Sequence, residues 1–85
     1  MIDQHSIEQD VRNFIVSNFL FGADNGLTSE QSLLSTGVMD STGVLELVAF
    51  IEQTYQVKVA DQELVPENLD SIDQVARFVR RKQTR

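Results

Sequence analysis

No cysteine occurs anywhere in this 85-residue chain. A domain this short buries only ~60% of the surface its unfolded form exposes, and small domains commonly offset that with disulfides or a structural metal. Without thiols, a disulfide scaffold, a cysteine-ligated zinc site and a thiol nucleophile are excluded. The fold has to live on core packing, and a helical bundle is the simplest way to do so. A content of 41% hydrophobic and 24% charged residues is that of a globular chain. The length suits one domain spanning 1–85, too small to hollow out an enzyme cleft without losing its own core.

Hydrophobic periodicity supports an all-α reading with helices over about 3–20, 41–55, 66–69 and 72–82. In the first, Ile7, Val11, Phe14, Ile15 and Phe19 share one face of a 3.6-residue period. Asp3 as a cap, or Ser6 with Gln9 as a capping box, mark alternative starts, and Gly22 marks a stop. Residues 22–40 have no period. Gly22, Asn25, Gly26 and Gly37 are turn formers, while the leucines between them suit pegs folded onto the core. In the second helix Val44, Leu47, Val48, Ile51 and Tyr55 form a stripe that Leu45, Ala49 and Phe50 widen. Such a wide band fits a central helix or one with a second contact face. Leu47 and Ile51 are expected to meet Phe14 and Ile15 from the first helix and Val75 and Val79 from the last. Val57-Lys58-Val59 has strand character without a mate. Pro66 suits the first position of a short helix. Ser71 with Gln74 is a capping box before Ile72, Val75, Ala76 and Val79.

The charge is one-sided, with a formal net of −6. Arg77, Arg80, Arg81, Lys82 and Arg85 hold five of the seven positive charges, so residues 1–76 set thirteen acids against Arg12 and Lys58. Such a body repels nucleic-acid phosphates and anionic membranes and attracts basic protein surfaces. The basic end complements the C-terminal dipole of a last helix. MIDQHSIEQD has neither a basic n-region nor an apolar h-region, and no apolar run is long enough to span a bilayer. A cytoplasmic protein without membrane or nucleic-acid partners is expected.

Enzymatic readings find little to stand on. His5 has no second histidine at ligand spacing, so no metal site is expected. No phosphate-cradling glycine motif occurs. Asp61/Glu63 and Asp70/Asp73 fit capping and solvated charges better than an acid–base pair. One stretch differs: Gly37-Val38-Met39-Asp40-Ser41-Thr42-Gly43-Val44-Leu45-Glu46-Leu47-Val48. Asp40 is a good N-cap for the apolar helix that follows. The Ser41 hydroxyl then projects from the positive end of the helix dipole, a place suited to a phosphate. Serine is common in first helical turns, so position alone leaves an unmodified residue open.

This stretch resembles the attachment motif of acyl carrier proteins and the related peptidyl and aminoacyl carrier domains. The family pattern is a glycine, two apolar residues, Asp-Ser, usually Leu, and an apolar helix with Glu-Leu-Val and a later Glu. Here these are Gly37, Val38, Met39, Asp40, Ser41, Glu46-Leu47-Val48 and Glu52. The likeness extends over nearly the whole chain, through the loop with Leu33-Leu34, the Tyr55–Val59 exit, Pro66 and the basic end. The resemblance implies a four-helix bundle with three main helices and one short one, and a 4′-phosphopantetheine arm on Ser41. It implies a non-enzymatic carrier, a monomer, bearing acyl or aminoacyl groups as thioesters. Its partners would be a phosphopantetheinyl transferase and loading ligases or synthases. Asp40, Thr42, Leu45, Glu46, Ala49 and Glu52 are the expected docking residues. Thr42 stands where the family usually has Leu. Gly43 stands where housekeeping fatty-acid carriers generally have an acid, reading as a missing partner-facing charge. Both departures point to a freestanding carrier for a specialised acyl, polyketide or aminoacyl pathway. The alternatives are a small acidic helical interaction module without a prosthetic group, or a nucleic-acid-associated protein using residues 77–85.

Overall fold

The computed structural model describes residues 4–20 and 26–83, with side chains from Ser6 onward. Asp3, Gly22, Asn25, Arg85 and the side chain of His5, all invoked above, lie outside the described residues. The described part is all-helical, with three main helices and one short one. These are α1 (Gln4–Phe19), α2 (Ser41–Tyr55), α3 (Pro66–Leu69) and α4 (Ile72–Gln83), with a 3-10 turn at Asp61–Glu63. No strand forms among the described residues, and the Val57–Val59 segment runs as irregular chain.

Each main helix contributes one stripe to a single core. Ile7, Val11 and Ile15 of α1, Leu47 and Ile51 of α2, and Ile72, Val75, Ala76 and Val79 of α4 are fully buried. Phe78 joins them and is the largest fully buried side chain. Leu27, Leu33 and Met39 close the core from the loop, so two of the three leucines expected as pegs are buried, joined by Met39. Leu34, their neighbour, is 38% exposed.

α4 packs closely on α1. The small Ala76 and the β-branched Val75 and Val79 let the two backbones approach. α2 meets α1 differently, through long side chains. Phe14 stacks on Phe50 at a centroid distance of 4.4 Å, and the Tyr55 hydroxyl donates to Asp10 Oδ2 at 2.8 Å. Phe14 is half-buried and packs against the core cluster that holds Leu47 and Ile51, and in addition it stacks on Phe50, a contact the periodicity did not announce. Burial, reinforced by the hydrogen bond to Asp10 and its charge, holds the Tyr55 phenol well above its ordinary pKa.

Local chemistry explains the ends. Ser6 lies inside α1, so it does not cap that helix. Gln56 stops α2 in a left-handed conformation at φ 55°. Pro66 opens α3 at its first turn. The Ser71 hydroxyl accepts from Gln74 N at 3.1 Å and starts α4. Arg80, Arg81 and Lys82 occupy the last turn of α4, where cations oppose the dipole. Lys82 also pairs with Glu63 at 2.9 Å, and Arg81 donates to Asn68 Oδ1 at 3.0 Å.

Candidate functional site at the start of the second helix

The loop ahead of α2 is pinned to distant parts of the chain. Arg12 Nη1 donates to the Leu27 carbonyl at 2.6 Å, and Asp73 N donates to the Ser29 carbonyl at 2.9 Å. Leu33 N donates to the Asp70 carbonyl at 2.6 Å. The Asp70 carboxylate accepts from Ser32 Oγ at 2.6 Å and from Leu34 N at 2.9 Å. Asp70 is therefore a clasp between the loop and the start of α4. Asp73 lies 3.1 Å from Arg77 in an ion pair, and Glu63 in one with Lys82. Glu63 also accepts from Ala60 N at 2.9 Å, a capping contact of the kind expected, whereas at Asp70 the expected cap or solvated charge gives way to the clasp.

Gly37 then turns the chain at φ 77°, a left-handed value that favours glycine. Met39 drops into the core, and Asp40 runs extended. Its carboxylate accepts from Gly43 N at 2.8 Å and its carbonyl from Val44 N at 3.1 Å, which fixes the first turn of α2. Such a cap contributes ~1 kcal/mol. Ser41 is the first helical residue and is exposed. Its hydroxyl makes no hydrogen bond among the described residues. The backbone N–H groups beside it lack intrahelical acceptors and carry the positive end of the dipole.

Gly43 needs a different reading from the one its sequence position suggested. It is buried, and a Cβ there would lie 2.6 Å from Met39 Cγ and 2.9 Å from Phe19 Cε1. Phe19 is itself set edge-on to Phe14 at 6.0 Å. The position faces inward, so the glycine is a packing requirement and not a missing partner-facing charge. Without a Cβ, the end of α1 and the loop close directly over the start of α2.

The expected docking residues divide into two groups. Thr42, Leu45, Glu46 and Ala49 are all exposed on one face of α2, with Leu45 59% exposed. Asp40 and Glu52 border that face but also serve the fold. Asp40 caps the helix, and Glu52 Oε2 accepts from Val59 N at 2.9 Å, closing the chain after α2. Val44 is half-buried and belongs elsewhere.

Val44 lines a groove of about 230 Å³ with Leu34, Ser41, Leu64, Val65, Pro66 and Leu69. The sequence reading missed its far wall. Residues 64–69 show no period to announce a shared surface, and the only local signals were Pro66 and Leu69. The hydroxyl of Ser41 stands at the rim of this groove, and all other lining side chains are apolar. A phosphodiester on Ser41 would face the unpaired N–H groups of the first turn, and the groove would receive apolar matter attached to it. The donor set therefore fits a phosphate-linked arm.

The fold and this site define a small helical bundle that displays a serine hydroxyl beside an apolar groove. No protein-family model matches the sequence. Over 75 residues, 88% of this chain and 86% of the relative, it is 31% identical to the probable acyl carrier protein PigG of Serratia sp. (strain ATCC 39006). The chain belongs to the acyl carrier protein family. Among the described residues no helix is long and apolar enough to cross a membrane.

Proposed function

We propose that Ser41 carries a 4′-phosphopantetheine arm and that the chain bears acyl or aminoacyl groups as thioesters, presenting them to partner enzymes without catalysing a reaction itself. The observation behind this reading is the Ser41 hydroxyl: exposed, unengaged, at the positive end of α2 and on the rim of an apolar groove. When bound, the arm supplies the terminal thiol that this cysteine-free chain lacks. The chain's own residues do the rest. Asp40 holds the first turn so that Ser41 keeps a fixed place. The N–H groups of Ser41 and Thr42 favour the phosphate electrostatically.

Docking falls to the exposed α2 face, with Leu45 and Ala49 as its apolar centre and Thr42 and Glu46 beside them. Asp40 and Glu52 add negative charge at the border. Acids at such a rim raise the association rate with basic surfaces more than they slow dissociation. The partners are a phosphopantetheinyl transferase and the ligase or synthase that loads the arm, meeting the carrier in the cytoplasm.

Intact-mass measurement after incubation with coenzyme A and a promiscuous phosphopantetheinyl transferase tests this reading. The unaltered chain should gain one phosphopantetheinyl group, and Ser41→Ala should fold normally and gain none. A chain that never takes up the group, though folded, is the interaction module without a prosthetic group.

A further inference from the structure

The segment that delivers Ser41 hangs from one residue far along the sequence. Each oxygen of the Asp70 carboxylate takes one donor from the loop: Oδ1 accepts from Leu34 N at 2.9 Å and Oδ2 from Ser32 Oγ at 2.6 Å. The Asp70 carbonyl accepts from Leu33 N at 2.6 Å, so three consecutive residues are held. Asp70 is itself fixed. It closes α3, its N–H donating to the Pro66 carbonyl at 3.0 Å, and Ser71 beside it caps α4.

From this anchor the hydrogen bonds run on toward the serine. The Ser32 carbonyl accepts from Thr36 N at 3.2 Å and from Thr36 Oγ1 at 2.6 Å, and the Leu34 carbonyl from Gly37 N at 3.2 Å, which closes the turn. The Leu33 carbonyl accepts from Met39 N at 3.1 Å. The next residue is Asp40, whose carboxylate holds Gly43 N and so fixes the first turn of α2 around Ser41.

We propose, on the carrier reading above, that Asp70 is a positioning residue for the transfer at Ser41. In that transfer Ser41 Oγ forms a bond to the pantetheine-bearing phosphorus of coenzyme A. The bond from that phosphorus to the bridging pyrophosphate oxygen breaks, adenosine bisphosphate leaves, and the serine proton passes to a base of the transferase. The attacking and leaving oxygens have to lie roughly in line. A displacement of ~1 Å can cost ~100-fold in rate. Leu45, Glu46 and Ala49, the docking side chains of α2, lie outside the clasp. Docking therefore seats the helix, and the clasp sets where the hydroxyl falls relative to it. Asp70 acts on rate and not on affinity.

The test follows mass gain of the full-length chain against its concentration, with coenzyme A and a promiscuous phosphopantetheinyl transferase, well below each variant's melting temperature. Asp70→Ala should lower kcat by ~10-fold or more while KM stays within about twofold. Asp70→Asn keeps an acceptor for Leu34 N and can turn its amide to the Ser32 oxygen, so it should recover most of that loss. Ser32→Ala removes one arm of the clasp from the loop side and should lower kcat less, again at unchanged KM. Tyr55→Phe removes one hydrogen bond at the far end of α2 and should leave both constants unchanged. A folded Asp70→Ala with the unaltered kcat, a loss confined to KM, an Asp70→Asn no faster than Asp70→Ala, or an equal loss in Tyr55→Phe each overturns the proposal. Where Asp70→Ala does not fold, Ser32→Ala decides: a lowered kcat at unchanged KM supports the assignment, and unchanged kinetics overturns it. No mass gain on the unaltered chain overturns the carrier reading itself, a distinct failure read in the first step.

Discussion

α2 and α4 both lean on α1, but they do so in different ways. α4 lies close, backbone near backbone, with Ile72, Val75, Ala76, Phe78 and Val79 buried and its outer side charged. α2 is held through large side chains: the Phe14–Phe50 stack and the Tyr55–Asp10 hydrogen bond. Its outer side keeps Leu45 and Ala49 in solvent. Nearly all the apolar surface of α4 is committed to stability, whereas part of that on α2 is withheld from the core. A helix that must present a residue to visiting enzymes leaves contact area unfilled, and a helix that only holds the fold does not.

Removing a ring from each helix tests that contrast most strongly. Phe78→Ala on α4 should cost ~3–5 kcal/mol in denaturant unfolding, enough to threaten a domain of this size. Phe50→Ala, losing a half-buried ring and one stack, should cost less. If the two costs came out reversed, α2 would be the structural helix and the comparison would fail. Gly43→Asp comes next. It restores the acid usual in fatty-acid carriers but forces atoms against Met39 and Phe19 and buries a charge. A loss of ~1–3 kcal/mol or more is expected, and an unchanged melting temperature would return that position to the partner-facing side.

The Tyr55–Asp10 contact responds to pH. The folded phenol titrates above its unfolded value of about 10. Its contribution is therefore fully present below that pH and is lost as pH rises above it. Tyr55→Phe should lower stability by about 1 kcal/mol at neutral pH and remove this part of the alkaline decline. Parallel curves for both proteins above pH ~10 would detach α2 from this contact. The smallest effect on stability belongs to the outer face. Leu45→Ala should stay within about 0.5 kcal/mol of the unaltered chain while slowing loading by a partner enzyme. Glu46→Lys should slow it further, with a deficit that shrinks as added salt shortens the Debye length from ~10 Å toward ~3 Å.

Periodicity carried the fold class and the inner faces. Ile7, Val11, Ile15, Leu47, Ile51, Val75 and Val79 are buried because helical spacing places them on one stripe of each helix. The excess width of α2 was also visible, since Leu45 and Ala49 break its stripe. What escaped was everything that links distant segments. The Phe14–Phe50 stack depends on how far apart two helices settle, which no single helix encodes. The Asp70 clasp joins residues 36 and 38 positions apart. Gly43 was misread because a motif gives the residue at a position and not the direction it faces. Ser41 stood out through its motif, whereas the wall facing it comes from Leu64–Leu69, where no period exists.

The Asp70 clasp also has a consequence for how the chain comes into being. The loop that delivers Ser41 takes its backbone partners from Asp70 and Asp73. On a ribosome, Ser41 emerges well before those residues, and until they follow, the segment ahead of it has only its own turns and the contacts of Arg12 to hold it. Local helices form in microseconds, but contacts between distant segments wait for the chain between them. The serine therefore reaches its final setting only when the last helix has been made.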